Sequence, residues 1–125
     1  MVHGKALAIK GVMTIVGLYL VLGIGYGVSF LGVLLLSIVQ GALSYVAGDL
    51  FILPRFKNIM ATFSDFCLTF LLVIASGSLF FSLEGSLWMA ALIASVVIAA
   101  AEYGFHLYLA TNVLPANNRV RAEVY

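Results

Sequence analysis

Charge is what this sequence has least of. Asp, Glu, Lys and Arg make up 9% of its 125 residues, against about 25% in soluble domains. Hydrophobic residues make up 64%, more than a soluble fold of this size can hide from water, so lipid must be the solvent for most of the chain. The net charge of +1 offers no basic field for nucleic acid and no acidic tail. The one cysteine, Cys67, excludes an intramolecular disulfide and a thiolate metal cage; in its apolar run it reads as a small buried residue. Phosphate loops, dinucleotide glycine fingerprints and a nucleophile setting are also lacking. No enzyme activity and no cofactor are therefore expected.

Long apolar runs are what the chain does have. Gly11 to Gly48 is 38 residues without a charge. As one helix that run would be roughly 57 Å long, nearly twice the bilayer core of about 30 Å, so it must be a hairpin. The alternate glycines of Gly23–Ser29 mark the break, since each lowers helix propensity by about 1 kcal/mol. Pro54 closes the second span, Pro54–Asn58 forms a polar turn, and Asn58 is placed to cap the third span. Glu84-Gly85-Ser86 is the next turn. The expected spans are 7–26, 29–53, 59–83 and 87–111, within a membrane domain 1–114 followed by a polar tail 115–125. The apolar run after the first residues is too long for a signal peptide, so it reads as an uncleaved span.

Lys5, Lys10, Arg55, Lys57, Arg119 and Arg121 all fall on one side of such a topology, and the opposite loops hold no Lys or Arg. The positive-inside rule makes that side cytoplasmic. The expected architecture is an all-α, up-down-up-down integral membrane four-helix bundle in the cell membrane, with both termini inside.

Small residues let helices approach in lipid. The second span carries Ser37, Gly41, Ser44 and Gly48 on one face, the natural packing stripe. The remaining spans carry shorter stripes: Gly11, Thr14 and Gly17; Thr62, Asp65 and Thr69; Ala91, Ser95 and Ala99.

Ionisable groups inside a span are costly, about 2.5–3.5 kcal/mol for Asp at a helix centre. Asp49, Asp65, Glu102 and His106 all fall about 6 to 14 Å inside the inner boundary at about 1.5 Å per residue. Glu102 and His106 share a helix face at i,i+4. Arg55 lies beyond the proline turn and can fork between two carboxylates. An Asp49–Arg55–Asp65 network facing Glu102 and His106 is expected. Lys10 is expected to snorkel to the inner headgroups. The network fits either a lock on helix register or the lining of a proton, cation or small-molecule path. Glu102 and His106 have ligand chemistry for a metal, but their convergence with the aspartates cannot be read from spacing.

Gly48-Asp49-Leu50-Phe51-Ile52-Leu53-Pro54-Arg55, with Asn58, Ala61-Thr62 and Asp65 after it, resembles the signature of the YndM-like family of small membrane proteins from spore-forming Gram-positive bacteria. Glu102-Tyr103-Gly104-Phe105-His106 resembles that family's motif near its end. Phe56-Lys57 departs from it, where small or polar residues are more usual. The resemblance implies a four-helix membrane protein and carries no substrate. The expected role is a non-enzymatic structural or partner-binding membrane component; the alternative is a small oligomeric channel or proton/cation-coupled transporter. The expected partners are the lipid bilayer and another copy or another membrane protein, not nucleic acid.

Overall fold

The protein is described by a computed structural model covering residues 2–79 and 85–112. Glu84 and the polar tail 115–125 lie outside the described residues, as do Arg119 and Arg121 of the charge count. Helix α1 (Val2–Leu18) continues into a π-helical segment, Tyr19–Ile24. Helix α2 (Phe30–Leu43) continues into a second, Ser44–Ile52. Helices α3 (Leu53–Leu79) and α4 (Leu87–Asn112) complete the bundle. Among the described residues, four segments are long and apolar enough to cross a bilayer: Gly4–Ile24, Phe30–Ile52, Arg55–Leu79 and Leu87–Leu109. The fold is thus an all-helical membrane bundle. Side chains outside its core are apolar and exposed, Val12, Leu31, Val46, Phe63 and Leu71 among them. That coat suits lipid rather than water.

The first break is shorter than the glycines suggest. Gly23 and Gly25 stay helical, and only residues 27–29 leave the helix. Water is not at hand in lipid to satisfy freed backbone groups, so the helix persists through weak formers. Gly27 then turns the chain at φ 76, a conformation glycine adopts without a Cβ penalty, and its N–H donates to the Gly23 carbonyl at 3.1 Å. Ser29 caps α2, accepting from the Gly32 N–H at 3.1 Å. The second reversal is a kink at Lys57, with φ 75 and ψ 172, inside an otherwise helical segment. Ser86 caps α4, its Oγ accepting from the Met89 N–H at 3.3 Å.

Asn58 does not cap the third span as its position suggests. Its amide is drawn inward, donating to the Tyr103 carbonyl and facing His106. The amide oxygen that a cap would use is instead taken by the Thr62 hydroxyl and the His106 imidazole.

The core has two apolar layers. Leu18, Leu22, Val33, Leu36, Val73 and Ile98 belong to one. Ala6, Tyr45, Leu53, Ala61, Phe105 and Leu109 form the other. Each member of the second layer lies within about a turn of an ionisable or hydrogen-bonding residue on its own helix. The second set therefore interleaves with the polar residues, and the first lies to one side of them.

The small-residue stripe of the second span serves two purposes. A Cβ on Gly48 would stand 2.9 Å from Asp65 Oδ1, whereas one on Gly41 would meet nothing within 4 Å. Gly48→Ala should therefore destabilise the bundle by about 1–3 kcal/mol through overpacking. Gly41→Ala should be neutral or stabilise by up to about 1 kcal/mol. Thermal unfolding of both variants in the same detergent checks the pair.

Candidate functional site

Each helix sends side chains into the polar layer. Lys10 comes from α1. Ser44 and Asp49 come from the π-helical end of the second span. Asn58, Thr62 and Asp65 come from α3, and Glu102 and His106 from α4. The wider turns of a π segment re-aim side chains relative to an α-helix and recur at functional sites. Lys10, Asp49, Asp65, Glu102 and His106 are all at most 1% exposed.

Lys10 is the central cation. Its Nζ lies 2.8 Å from Asp49 Oδ2 and 2.5 Å from Glu102 Oε2, and 5.0 Å from the centre of the Phe105 ring. This corrects the snorkelling expectation. The apolar segment starts at Gly4, which places Lys10 well inside it, and two carboxylates hold the ammonium there.

His106 is gripped on both ring nitrogens. Nε2 lies 2.8 Å from Asp49 Oδ1 and 3.0 Å from Asp65 Oδ2. Nδ1 lies 2.7 Å from Asn58 Oδ1. Because the Asn58 NH₂ donates to the Tyr103 carbonyl at 3.2 Å, its oxygen faces the ring, and Nδ1 is the donor. Thr62 Oγ1 also donates to Asn58 Oδ1, at 3.0 Å.

Ser44 bridges the acids. Its Oγ lies 2.7 Å from Asp65 Oδ1 and 2.9 Å from Glu102 Oε2. Below it, Gln40 donates to Thr69 Oγ1 at 2.7 Å, and Thr69 donates to the Asp65 carbonyl at 2.9 Å. Among the described residues, Glu102 Oε1, Gln40 Oε1 and Ser37 Oγ are buried with no hydrogen-bond partner.

The structure thus brings together Asp49, Asp65, Glu102 and His106, with one ligand-type atom from each within 4.8 Å of the others. It places Arg55 elsewhere. The helix runs on past Pro54, which carries the guanidinium round to the exposed face, where it lies 4.5 Å from the Phe51 ring centre. The cation between the acids is Lys10 instead. Of the stripe residues, Ser44 and Gly48 face the acids, while Ser37 and Gly41 line a groove against α1. Sequence reasoning missed Lys10, Ser44 and Asn58 as members of the cluster. A signal was present for Lys10: three acids at similar depth call for a cation at the same depth, and Lys10 begins an apolar run.

Chemically, this arrangement places three carboxylates against one ammonium and one imidazole. Even with the imidazole protonated, the positive groups are one short. The family model described as "Protein of unknown function (DUF2512)" matches residues 1–125. The chain belongs to this family. It is also 38% identical over 119 residues to "Uncharacterized membrane protein YndM" of Bacillus subtilis (strain 168). That alignment covers 95% of this chain and 66% of the relative's length. No solved structure matches.

The amide–imidazole contact can be tested by a double-mutant cycle. Asn58→Ala should cost about 1–3 kcal/mol by leaving buried polar atoms unpaired. Combining it with His106→Ala should cost clearly less than the sum of the two single changes, as for residues in one network. Unfolding of the four proteins in detergent measures the coupling.

Proposed function

We propose that this protein is a non-enzymatic membrane component whose buried ion cluster locks four helices in register, with both termini in the cytoplasm. The observation that supports it is that all four helices contribute to one network of ion pairs and hydrogen bonds. Removing one member of a buried pair leaves an uncompensated charge and costs about 3–5 kcal/mol. Such a cluster admits few alternative registers. With Lys10 inside the bundle, Lys5, Arg55, Lys57, Arg119 and Arg121 still sit on one side of the reading, which supports the cytoplasmic assignment. The cell membrane is the expected location, and a second copy or another membrane protein is the expected partner on the apolar outer face.

One observation favours a second reading, a small proton/cation-coupled carrier using Asp49, Asp65, Glu102 and His106. The cluster holds more negative groups than positive ones, and Glu102 keeps one carboxylate oxygen unpaired. A lock needs no such surplus.

Asp65→Asn and Glu102→Gln separate the two readings. Under the lock, both lower the melting temperature in detergent, and the unaltered protein passes no ions in liposomes. Under the carrier, both variants stay folded and abolish a pH- or cation-dependent flux. For orientation, Lys5→Cys should react with an impermeant maleimide only after the membrane is opened; labelling in intact cells would reverse the topology.

A further inference from the structure

Three details of the cluster bear on what else it could hold. Glu102 Oε1 is buried with no hydrogen-bond partner among the described residues. His106 is oriented as metal-binding histidines are, one ring nitrogen donating to a carbonyl oxygen while the other faces the carboxylates. Here Nδ1 donates to Asn58 Oδ1 at 2.7 Å, and Nε2 points at Asp49 and Asp65. The third detail is a mostly apolar groove of about 200 Å³ between α1 and the second span, half open to the outside and bordered by Lys10, Leu7, Ser37, Ile38 and Gly41. Ser37 Oγ, itself buried and unpartnered, borders this groove.

We propose that the cluster is a binding site for a divalent transition-metal cation, and that the Lys10 ammonium is a tethered competitor that withdraws into the adjoining groove when the metal enters. The four ligand atoms already lie within 4.8 Å of one another. Ligands about 2.0–2.2 Å from an ion stand at most about 4.4 Å apart, so small side-chain movements close the shell. Three carboxylates with one imidazole and no thiolate suit Mn²⁺, Fe²⁺ or Zn²⁺. Lys10 Nζ touches Asp49 Oδ2 and Glu102 Oε2, two of the ligand groups, so ammonium and metal compete for the same oxygens. The groove gives the displaced side chain somewhere to go, and Ser37 Oγ gives it an acceptor. This inference goes beyond the lock, and it concerns binding, whether or not the protein carries ions across the membrane.

The test uses the full chain in detergent, with Mn²⁺ as probe and loss of its free electron-paramagnetic-resonance signal as readout. The unaltered protein should bind one Mn²⁺, displaced by Zn²⁺. Lys10→Met should bind at least tenfold more tightly, because the competitor is gone. Asp49→Asn and Glu102→Gln should each bind at least tenfold more weakly. Gly41→Leu fills the groove and touches none of the ligands; it should weaken binding severalfold by blocking the withdrawal of Lys10. Absence of Mn²⁺ binding in both the unaltered protein and Lys10→Met would overturn the proposal, as would equal affinity of those two. Should Lys10→Met fail to fold, Gly41→Leu decides: unchanged affinity sinks the competitor and its retreat. A lock reading that failed on melting temperatures would leave these binding results untouched, so the two can fall separately.

Discussion

At the centre of the bundle one ammonium sits between two carboxylates, and every other contact of the cluster is arranged around it. Lys10 joins α1 to Asp49 of the second span and to Glu102 of α4, and through Asp49 the chain of contacts reaches His106, Asp65 and Asn58. In water such pairs are worth little. In the lipid interior the alternative is an unpaired charge, which is costly, so the pairing matters far more there. The apolar layers then follow as consequences. Apolar side chains pack among the ions and to one side of them, and keep out the water that would weaken the attraction.

Much of this was legible in the sequence, for reasons that can be named. The long uncharged run forced a hairpin by length alone, and the four spans follow from it. Asp49, Asp65, Glu102 and His106 stood out because each is an ionisable group where ionisable groups are costly. The residues that escaped notice are those whose role depends on depth or rotation. Lys10 sits near the start of an apolar run, where snorkelling and burial look alike, and a shift of three residues in the span boundary decides between them. Arg55 looked able to fold back across Pro54, but the helix continues past the proline and turns it outward. Asn58 had the composition of a cap and is instead claimed by an imidazole 48 residues away in sequence. Spacing along one helix cannot show such a partner.

The π-helical stretch Ser44–Ile52 is a further case of local structure set by a distant need. It follows a regular α-helix with no proline inside it and has an ordinary apolar composition, so nothing local calls for wider turns. What it carries is Ser44, Gly48 and Asp49, on the face that meets α3 and α4. Gly48 leaves room for Asp65 Oδ1, which a Cβ would crowd at 2.9 Å, and Ser44 reaches that same oxygen. One segment thus provides a gap, a hydroxyl and a carboxylate to the cluster.

The distribution of the charges also bears on how the chain enters its membrane. Lys10, Asp49 and Asp65 are dealt out one to a helix, while Glu102 and His106 share α4, so each of the first three spans needs a neighbour to pair its ion. A span inserted alone carries a cost of about 2.5–3.5 kcal/mol for its ion, which is relieved only when the others arrive. Early intermediates of biogenesis are therefore marked by exposed charge at a fixed depth. The finished bundle hides that mark, with each of these ions at most 1% exposed.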